Sequence, residues 1–332
     1  PISAIRYLAR IQERLGSEVY LRDVFTYPTL SAMVEYIRAG AGAYAFRSLV
    51  PLAPGGTRRP VYFIHGWGGE VFVFLELAKS LGPDQPACGL QAVEFSGTHE
   101  PFGSIEEAAG HYVSEITRFQ PEGPYNLTGY SLGGMIAFEV GRQLVARGEE
   151  ISFLGIIDTF PRNLPRKLHV AAVIPHLFHR GVYHAVNLFR QKESGPITYV
   201  KSRYKALKRL VAPPANPAPG GDSAPETVEE TEADYYARLV GDYVPEPYPV
   251  RVHLYVSEET KLGLESTWRF LATGGVVRRG LKGGHFDLFE GENALYFQEI
   301  YRRDLERVNE SAIRGAGEQR VNETRRSGGS AG

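Results

Sequence analysis

Gly129-Tyr130-Ser131-Leu132-Gly133 decides how this chain is read. The stretch Pro124-Tyr125-Asn126-Leu127-Thr128 before it has the character of a strand, and residues 134–147 after it carry the pattern of a helix. A serine on such a sharp strand-to-helix turn, with glycine two residues to either side, has its hydroxyl held clear of the sheet. The glycines answer a steric demand, because a Cβ at either flank meets the neighbouring strand or helix. The helix start behind Ser131 favours negative charge developing there. A bare G-x-S-x-G is common; the strand before it and the helix after it make this one specific.

Outward from the serine, strands and helices alternate. Residues 61–64, 87–93, 125–128 and 153–157 read as short apolar strands, with helical patterns at 71–81, 105–119 and 135–147 between them. Residues 250–256 and 275–280 resume the alternation near the end. This predicts an α/β architecture: βαβ units, a mostly parallel sheet and helices on both faces. The alternation breaks between 158 and about 234. Helical stretches at 167–189 and 197–211 lead there into a run holding Pro213, Pro214, Pro217, Pro219 and Pro225. An insertion at this point predicts a lid over the site, at about 160–231. Residues 308–332 are polar and glycine-rich and predict a disordered tail. At the other end, residues 1–40 predict a small helical piece: Ala4, Leu8, Ile11 and Leu15 recur at helical spacing, Gly16 stops that helix, and a second begins after Pro28. Residues 41–60 read as a linker, and 61–307 as the main domain.

Composition narrows the function classes. A net charge of −1 with balanced acids and bases points away from nucleic acid and anionic membrane. The apolar stretches fall far short of the ~18 residues of a membrane helix. No basic segment followed by an apolar run opens the chain, and Cys88 is its one cysteine, so a reducing cytoplasm is expected. Cys88 lies in an apolar run and reads as a buried strand residue; the sequons at Asn126, Asn309 and Asn322 carry no weight without secretion. The chain begins at Pro1, which suggests a fragment of something longer.

A serine hydroxyl needs a base, an orienting acid and an oxyanion hole to act as a nucleophile. Of nine histidines, His285 stands out in Lys282-Gly283-Gly284-His285-Phe286-Asp287, a glycine-rich loop just after the last strand. For the acid, Asp158 at the C-terminal end of strand 153–157 competes with Glu258 and Glu259, which follow the next strand. There Ser257 reads as a helix cap. The oxyanion hole is expected from the backbone N–H of Leu132, directly after the nucleophile, and that of Trp67 in His65-Gly66-Trp67-Gly68-Gly69. His65 reads as a residue that holds this loop, not as a base. His176, His179 and His184 lack ligand spacing and companion carboxylates, so no metal is expected.

From about residue 49 to 307 the chain resembles the thioesterase domains that terminate nonribosomal peptide and polyketide synthetases. The resemblance rests on Ser48-Leu49-Val50-Pro51-Leu52 with Gly55-Gly56, Phe63-Ile64-His65-Gly66-Trp67-Gly68-Gly69, Gly129-Tyr130-Ser131-Leu132-Gly133-Gly134, Ile157-Asp158-Thr159 and Gly283-Gly284-His285-Phe286. It implies the α/β-hydrolase fold with a helical lid insertion, chain order Ser131, Asp158, His285 for nucleophile, acid and base, and a lid whose Phe160, Phe178, Tyr183 and Phe189 line an apolar acyl pocket. His65-Gly66 departs from the His-Pro that many members have.

Residues 2–39 resemble the later helices of a phosphopantetheine carrier domain, through Ala4-Ile5-Arg6, Leu21-Arg22-Asp23-Val24-Phe25 and Pro28-Thr29-Leu30. The resemblance places Pro1 where such carriers have the pantetheinylated serine, so this all-α remnant holds no covalent arm of its own. What the two resemblances together imply is release: 4'-phosphopantetheine on an upstream or partner carrier presents an acyl or peptidyl thioester, synthetase modules are the partners, and Ser131 takes the chain for hydrolysis or cyclisation. The rival readings are a stand-alone carboxylesterase or lipase, and an inactive docking module.

Overall fold

The computed structural model describes residues 46–92, 101–161, 163–164, 232–260 and 264–328, and within 1–45 parts of 10–38. Most of the predicted lid lies outside the described residues, including His176, Phe178, His179, Tyr183, His184 and Phe189.

Seven strands form one sheet: β1 (Leu49–Ala53), β2 (Val61–Ile64), β3 (Ala87–Leu90), β4 (Tyr125–Tyr130), β5 (Ile151–Ile157), β6 (Val252–Val256) and β7 (Val276–Gly280). Their spatial order is β1-β3-β2-β4-β5-β6-β7, with β1 antiparallel to β3 and every other pair parallel. The helices are α1 (Leu30–Arg38), α2 (Leu75–Ser80), α3 (Ile105–Phe119), α4 (Leu132–Ala146), α5 (Glu232–Asp242), α6 (Leu264–Leu271) and α7 (Gly291–Gly328). β2 reads Val-Tyr-Phe-Ile and is buried throughout, as a strand covered on both faces must be. Its alternate side chains feed two cores. Tyr62 and Ile64 join Leu127, Leu154, Ile156 and Leu254 on one face, while Val61 and Phe63 join Phe153, Ile157 and Tyr255 on the other. α3 and α4 contribute to the first core, α2 and α7 to the second. α3 begins where Ser104 Oγ accepts the Glu107 N–H at 3.1 Å, and it buries Ile105, Ala108, Ala109, Tyr112, Val113 and Ile116 along one stripe.

Two regions differ from their composition. The segment 41–60, expected as a linker, holds β1. Leu49 and Val50 are fully buried, and Pro51 is accommodated because β1 is an edge strand. Buried Glu115 on α3 accepts the N–H groups of Arg47, of Ser48 at 2.9 Å and of Leu49 at 2.7 Å, which ties the start of the strand down. The expected disordered tail is also corrected: α7 continues to Gly328. Phe297, Tyr301 and Leu305 recur every four residues on its buried stripe, Val308 continues it, and Arg302 and Arg303 pair with Glu299 on the outside.

Near the N-terminus, Ile11, Val19, Met33 and Tyr36 form a separate small cluster. Gly16 has φ +62°, the left-handed conformation that ends a helix. Thr29 caps α1, its Oγ1 accepting the Ala32 N–H at 3.2 Å. Among the described residues no helix is long and apolar enough to cross a membrane.

Candidate active site

The strand order reverses beside β2: the chain steps outward from β2 to β3, then returns to lay β4 on the other side of β2 and moves away through β5, β6 and β7. Crevices that bind ligands in open α/β sheets form outside the carboxyl ends of strands at such a switch point. Ser131 stands there, at the end of β4. Its φ of 56° and ψ of −120° are strained for a residue with a side chain, at a cost of roughly 1–3 kcal/mol. The surroundings hold it. Ser131 N–H donates to the Ile157 carbonyl at 2.9 Å, and Thr159 Oγ1 donates to the Ser131 carbonyl at 2.8 Å. The flanking glycines are required by contact: a Cβ at Gly129 meets the Gly133 carbonyl oxygen at 1.9 Å, and one at Gly133 meets the His65 carbonyl oxygen at 2.1 Å.

The structure brings Ser131, His285 and Asp158 into one hydrogen-bonded line. His285 Nε2 lies 3.0 Å from Ser131 Oγ, and His285 Nδ1 lies 2.7 Å from Asp158 Oδ2. Asp158 directly follows β5, at its carboxyl end, and is buried with a left-handed φ of 48°. Its carboxylate accepts from Ser257 N–H at 2.9 Å, Ser257 Oγ at 3.0 Å and Thr260 Oγ1. Burial by itself pushes the Asp158 carboxyl up. The His285 imidazole and the Thr260 and Ser257 donors outweigh it and hold the group below the usual carboxylate range, hence ionised.

The competing glutamates have other work. Glu258 is exposed, and its backbone N–H donates to the Gly283 carbonyl at 2.9 Å. Glu259 is buried and accepts the His285 backbone N–H at 3.3 Å, so it steadies the histidine loop. Asp287 closes that loop by accepting the Gly284 N–H at 2.6 Å. Ser257, read from the sequence as a helix cap, instead donates twice to Asp158. Sequence reasoning missed Ser257, Thr260 and Glu259 in these roles, since each partner comes from a distant strand end.

Of the two expected oxyanion donors, Leu132 directly follows the serine. Leu132 is the first residue of α4, where backbone N–H groups lack partners within the helix. Trp67 lies on the β2 loop, 37% exposed, with its ring 5.7 Å from that of Tyr236 on α5. His65 is buried and spends both ring nitrogens locally, Nδ1 at 2.7 Å from the Gly66 carbonyl and Nε2 at 2.8 Å from the Tyr112 hydroxyl. It braces the loop, as expected. Cys88 is buried in β3 and its thiol is pushed up to about 12 by burial, which leaves it protonated.

The family model of the thioesterase domain matches residues 59–304, which spans this whole sheet from β2 onward and all of the site. The chain belongs to the thioesterase-domain family. Ahead of the thioesterase domain, the model of the phosphopantetheine attachment site matches residues 1–37. The dimodular nonribosomal peptide synthase of Bacillus subtilis (strain 168) is 34% identical over 165 residues, which cover 49% of this chain and 7% of the synthase. Among solved structures, the NocB thioesterase domain in covalent complex with a fluorophosphonate nocardicin G analog is 23% identical, with a TM-score of 0.53 over 77% of this chain and 99% of that one. The four-domain nonribosomal peptide synthetase AB3403 is 22% identical, with a TM-score of 0.54 over 90% of this chain and 23% of that one. These two structures share the fold. The chain thus spans a small part of the synthetases it resembles.

Proposed function

We propose that this thioesterase domain releases an acyl or peptidyl chain from the phosphopantetheine thioester of a carrier domain, through an acyl-enzyme on Ser131. The observation that carries the reading is the line from Ser131 Oγ through His285 to buried, ionised Asp158, at the switch point of the sheet. The match of residues 1–37 to a phosphopantetheine attachment site supports a carrier-bound substrate. The pantetheine thioester then enters the site as substrate, presented by a carrier domain of the synthetase.

In the first half-reaction Ser131 Oγ attacks the thioester carbonyl carbon while His285 Nε2 takes the hydroxyl proton. Asp158 accepts from His285 Nδ1–H, fixes that tautomer and stabilises the imidazolium. The Leu132 and Trp67 N–H groups receive the oxyanion, at about 3–4 kcal/mol per donor. The tetrahedral adduct collapses, the C–S bond breaks, and the pantetheine thiol leaves with the proton returned by His285. In the second half-reaction His285 takes a proton from water or from a nucleophile within the acyl chain, which attacks the Ser131 ester; the bond from Ser131 Oγ to the acyl carbon then breaks and His285 returns the proton to Oγ. Water gives a linear acid and an internal nucleophile gives a ring.

The test offers an acyl-pantetheine thioester to the protein and follows free thiol and intact mass. Wild type is expected to carry an acyl adduct, and Ser131→Ala to lose the adduct and about 10⁶ in turnover. Unchanged thiol release from Ser131→Ala overturns the reading. Product mass distinguishes the linear acid from the ring.

A further inference from the structure

The side chain between the first glycine and the nucleophile has no role in the reaction just described, yet it touches three parts of the site. The Tyr130 ring lies face to face with the His285 imidazole, centroids 4.9 Å apart and planes 28° apart. Its hydroxyl donates to the backbone carbonyl of that same His285. The Tyr130 ring stands at 77° to the ring of Phe289, beyond the histidine loop, with centroids 5.1 Å apart. On the β2 loop the ring lies against Gly66, where a Cβ would stand 3.2 Å from Tyr130 Cδ1.

From this geometry we infer that Tyr130 is the positioning residue for the base, a two-point clamp that fixes the plane of the His285 ring with its face and the His285 backbone with its hydroxyl. The inference rests on the Ser131–His285–Asp158 reading. Backbone connectivity makes the clamp effective: Tyr130 is bonded to Ser131, so one residue at the end of β4 sets nucleophile and base against each other. Apart from it His285 is held by Asp158 Oδ2 at Nδ1, by Ser131 Oγ at Nε2 and by Glu259 at its N–H, in-plane contacts that fix the ends of the ring but leave its plane to be set by the face that stacks on it. Burial, then the nearby Asp158, Glu259 and Asp287 carboxylates, push the Tyr130 phenol well above its usual range, so the hydroxyl remains a donor. The ring face also carries the negative end of the aromatic quadrupole toward the imidazolium that forms in each half-reaction. Gly66 belongs to the same arrangement, because any side chain there presses on the ring that the clamp needs flat.

Two substitutions separate the two points of the clamp, with the acyl-pantetheine thioester as probe. Tyr130→Phe keeps the ring and loses the hydroxyl; kcat is expected to fall about fivefold, the worth of one neutral hydrogen bond. Tyr130→Leu loses both points, and kcat is expected to fall about 100-fold, as for a catalytic group displaced by an ångström. KM should hold in both variants. The far-downfield proton signal of the His285 Nδ1–H···Asp158 hydrogen bond should broaden in Tyr130→Leu and persist in Tyr130→Phe. Wild-type kcat and an unchanged proton signal in folded Tyr130→Leu overturn the inference. If Tyr130→Leu fails to fold, Tyr130→Phe decides: a kcat loss at constant KM supports the clamp, and wild-type kcat refutes it. Ser131→Ala serves as the parallel control, since its retention of turnover defeats the triad reading itself, whereas its inactivity beside a fully active Tyr130→Leu defeats the clamp alone.

Discussion

At the scale of single residues, the site spends conformational strain to place charge. Ser131 and Asp158 are the two residues other than glycine with positive φ among those described, and they face each other across His285. Each is held by neighbours that leave it no alternative: Ser131 by Ile157 and Thr159, Asp158 by Ser257, Thr260 and the Tyr255 carbonyl that accepts its N–H at 2.8 Å. Such over-determination is what lets strain persist. It also makes Asp158 the residue whose charge is least replaceable. Asp158→Asn preserves shape but presents an amide to His285 Nδ1, which favours the wrong tautomer; kcat is expected to drop by about 10⁴. Glu258→Gln, altering an exposed side chain, should leave kcat within about twofold of wild type. Steady-state thiol release from both variants checks the pair, and the reverse ranking moves the acid to Glu258.

At the scale of elements, the strand after residue 48 shows how a buried charge can define an edge. Glu115 lies on α3, 66 residues from Leu49, and takes three successive backbone N–H groups as the chain enters β1. His111, one turn earlier on α3, adds a 3.0 Å contact from Nε2 to Ser48 Oγ. The residues with glycine and proline around this strand hide it from composition; the carboxylate and the pairing with β3 create it. Glu115→Ala is therefore expected to destabilise the domain by about 3 kcal/mol, since it leaves buried N–H groups without acceptors. Denaturant unfolding should show the loss in the midpoint. An unchanged midpoint means water or a rearranged strand replaces the clasp.

At the scale of the whole molecule, α7 closes the far face of the sheet, and its polar seam makes stability depend on acid. Asp304 on α7 is buried against Arg279 of β7, with Nη2 at 2.7 Å and Nε at 2.9 Å, and has His253 of β6 beside it at 3.9 Å. Tyr255 donates to the same carboxylate at 3.3 Å. Burial works against ionisation here, but His253 and Arg279 win and bring the Asp304 carboxyl down from 3.8 to about 2. A carboxyl depressed in the folded state adds stability above its unfolded value and loses it as pH falls through the folded one. Wild type should therefore lose unfolding free energy between about pH 4 and about pH 2, and more steeply than Asp304→Asn, so that the gap between the two narrows with acid. Denaturant midpoints across that range test it, and parallel pH slopes exclude Asp304 as the source.

The sequence by itself determined the strands from β2 onward, their order along the chain, and Ser131 and His285, with Asp158 one of three candidates for the acid. Each of these leaves a local mark: apolar runs for strands buried on both faces, glycines where a Cβ has no room, an aspartate at a strand end, a histidine in a glycine-rich loop after the last strand. Only the tertiary structure decided what supports them. Ser257 reaches Asp158 across 99 residues and Tyr130 reaches His285 across 155, and nothing in the local spacing of either announces the partner. The same holds for β1, which needs Glu115 and β3, and for α7, whose packed stripe runs from Phe297 to Val308. Local sterics can be read along a chain, whereas a hydrogen bond between distant strand ends exists only once the sheet has set their register.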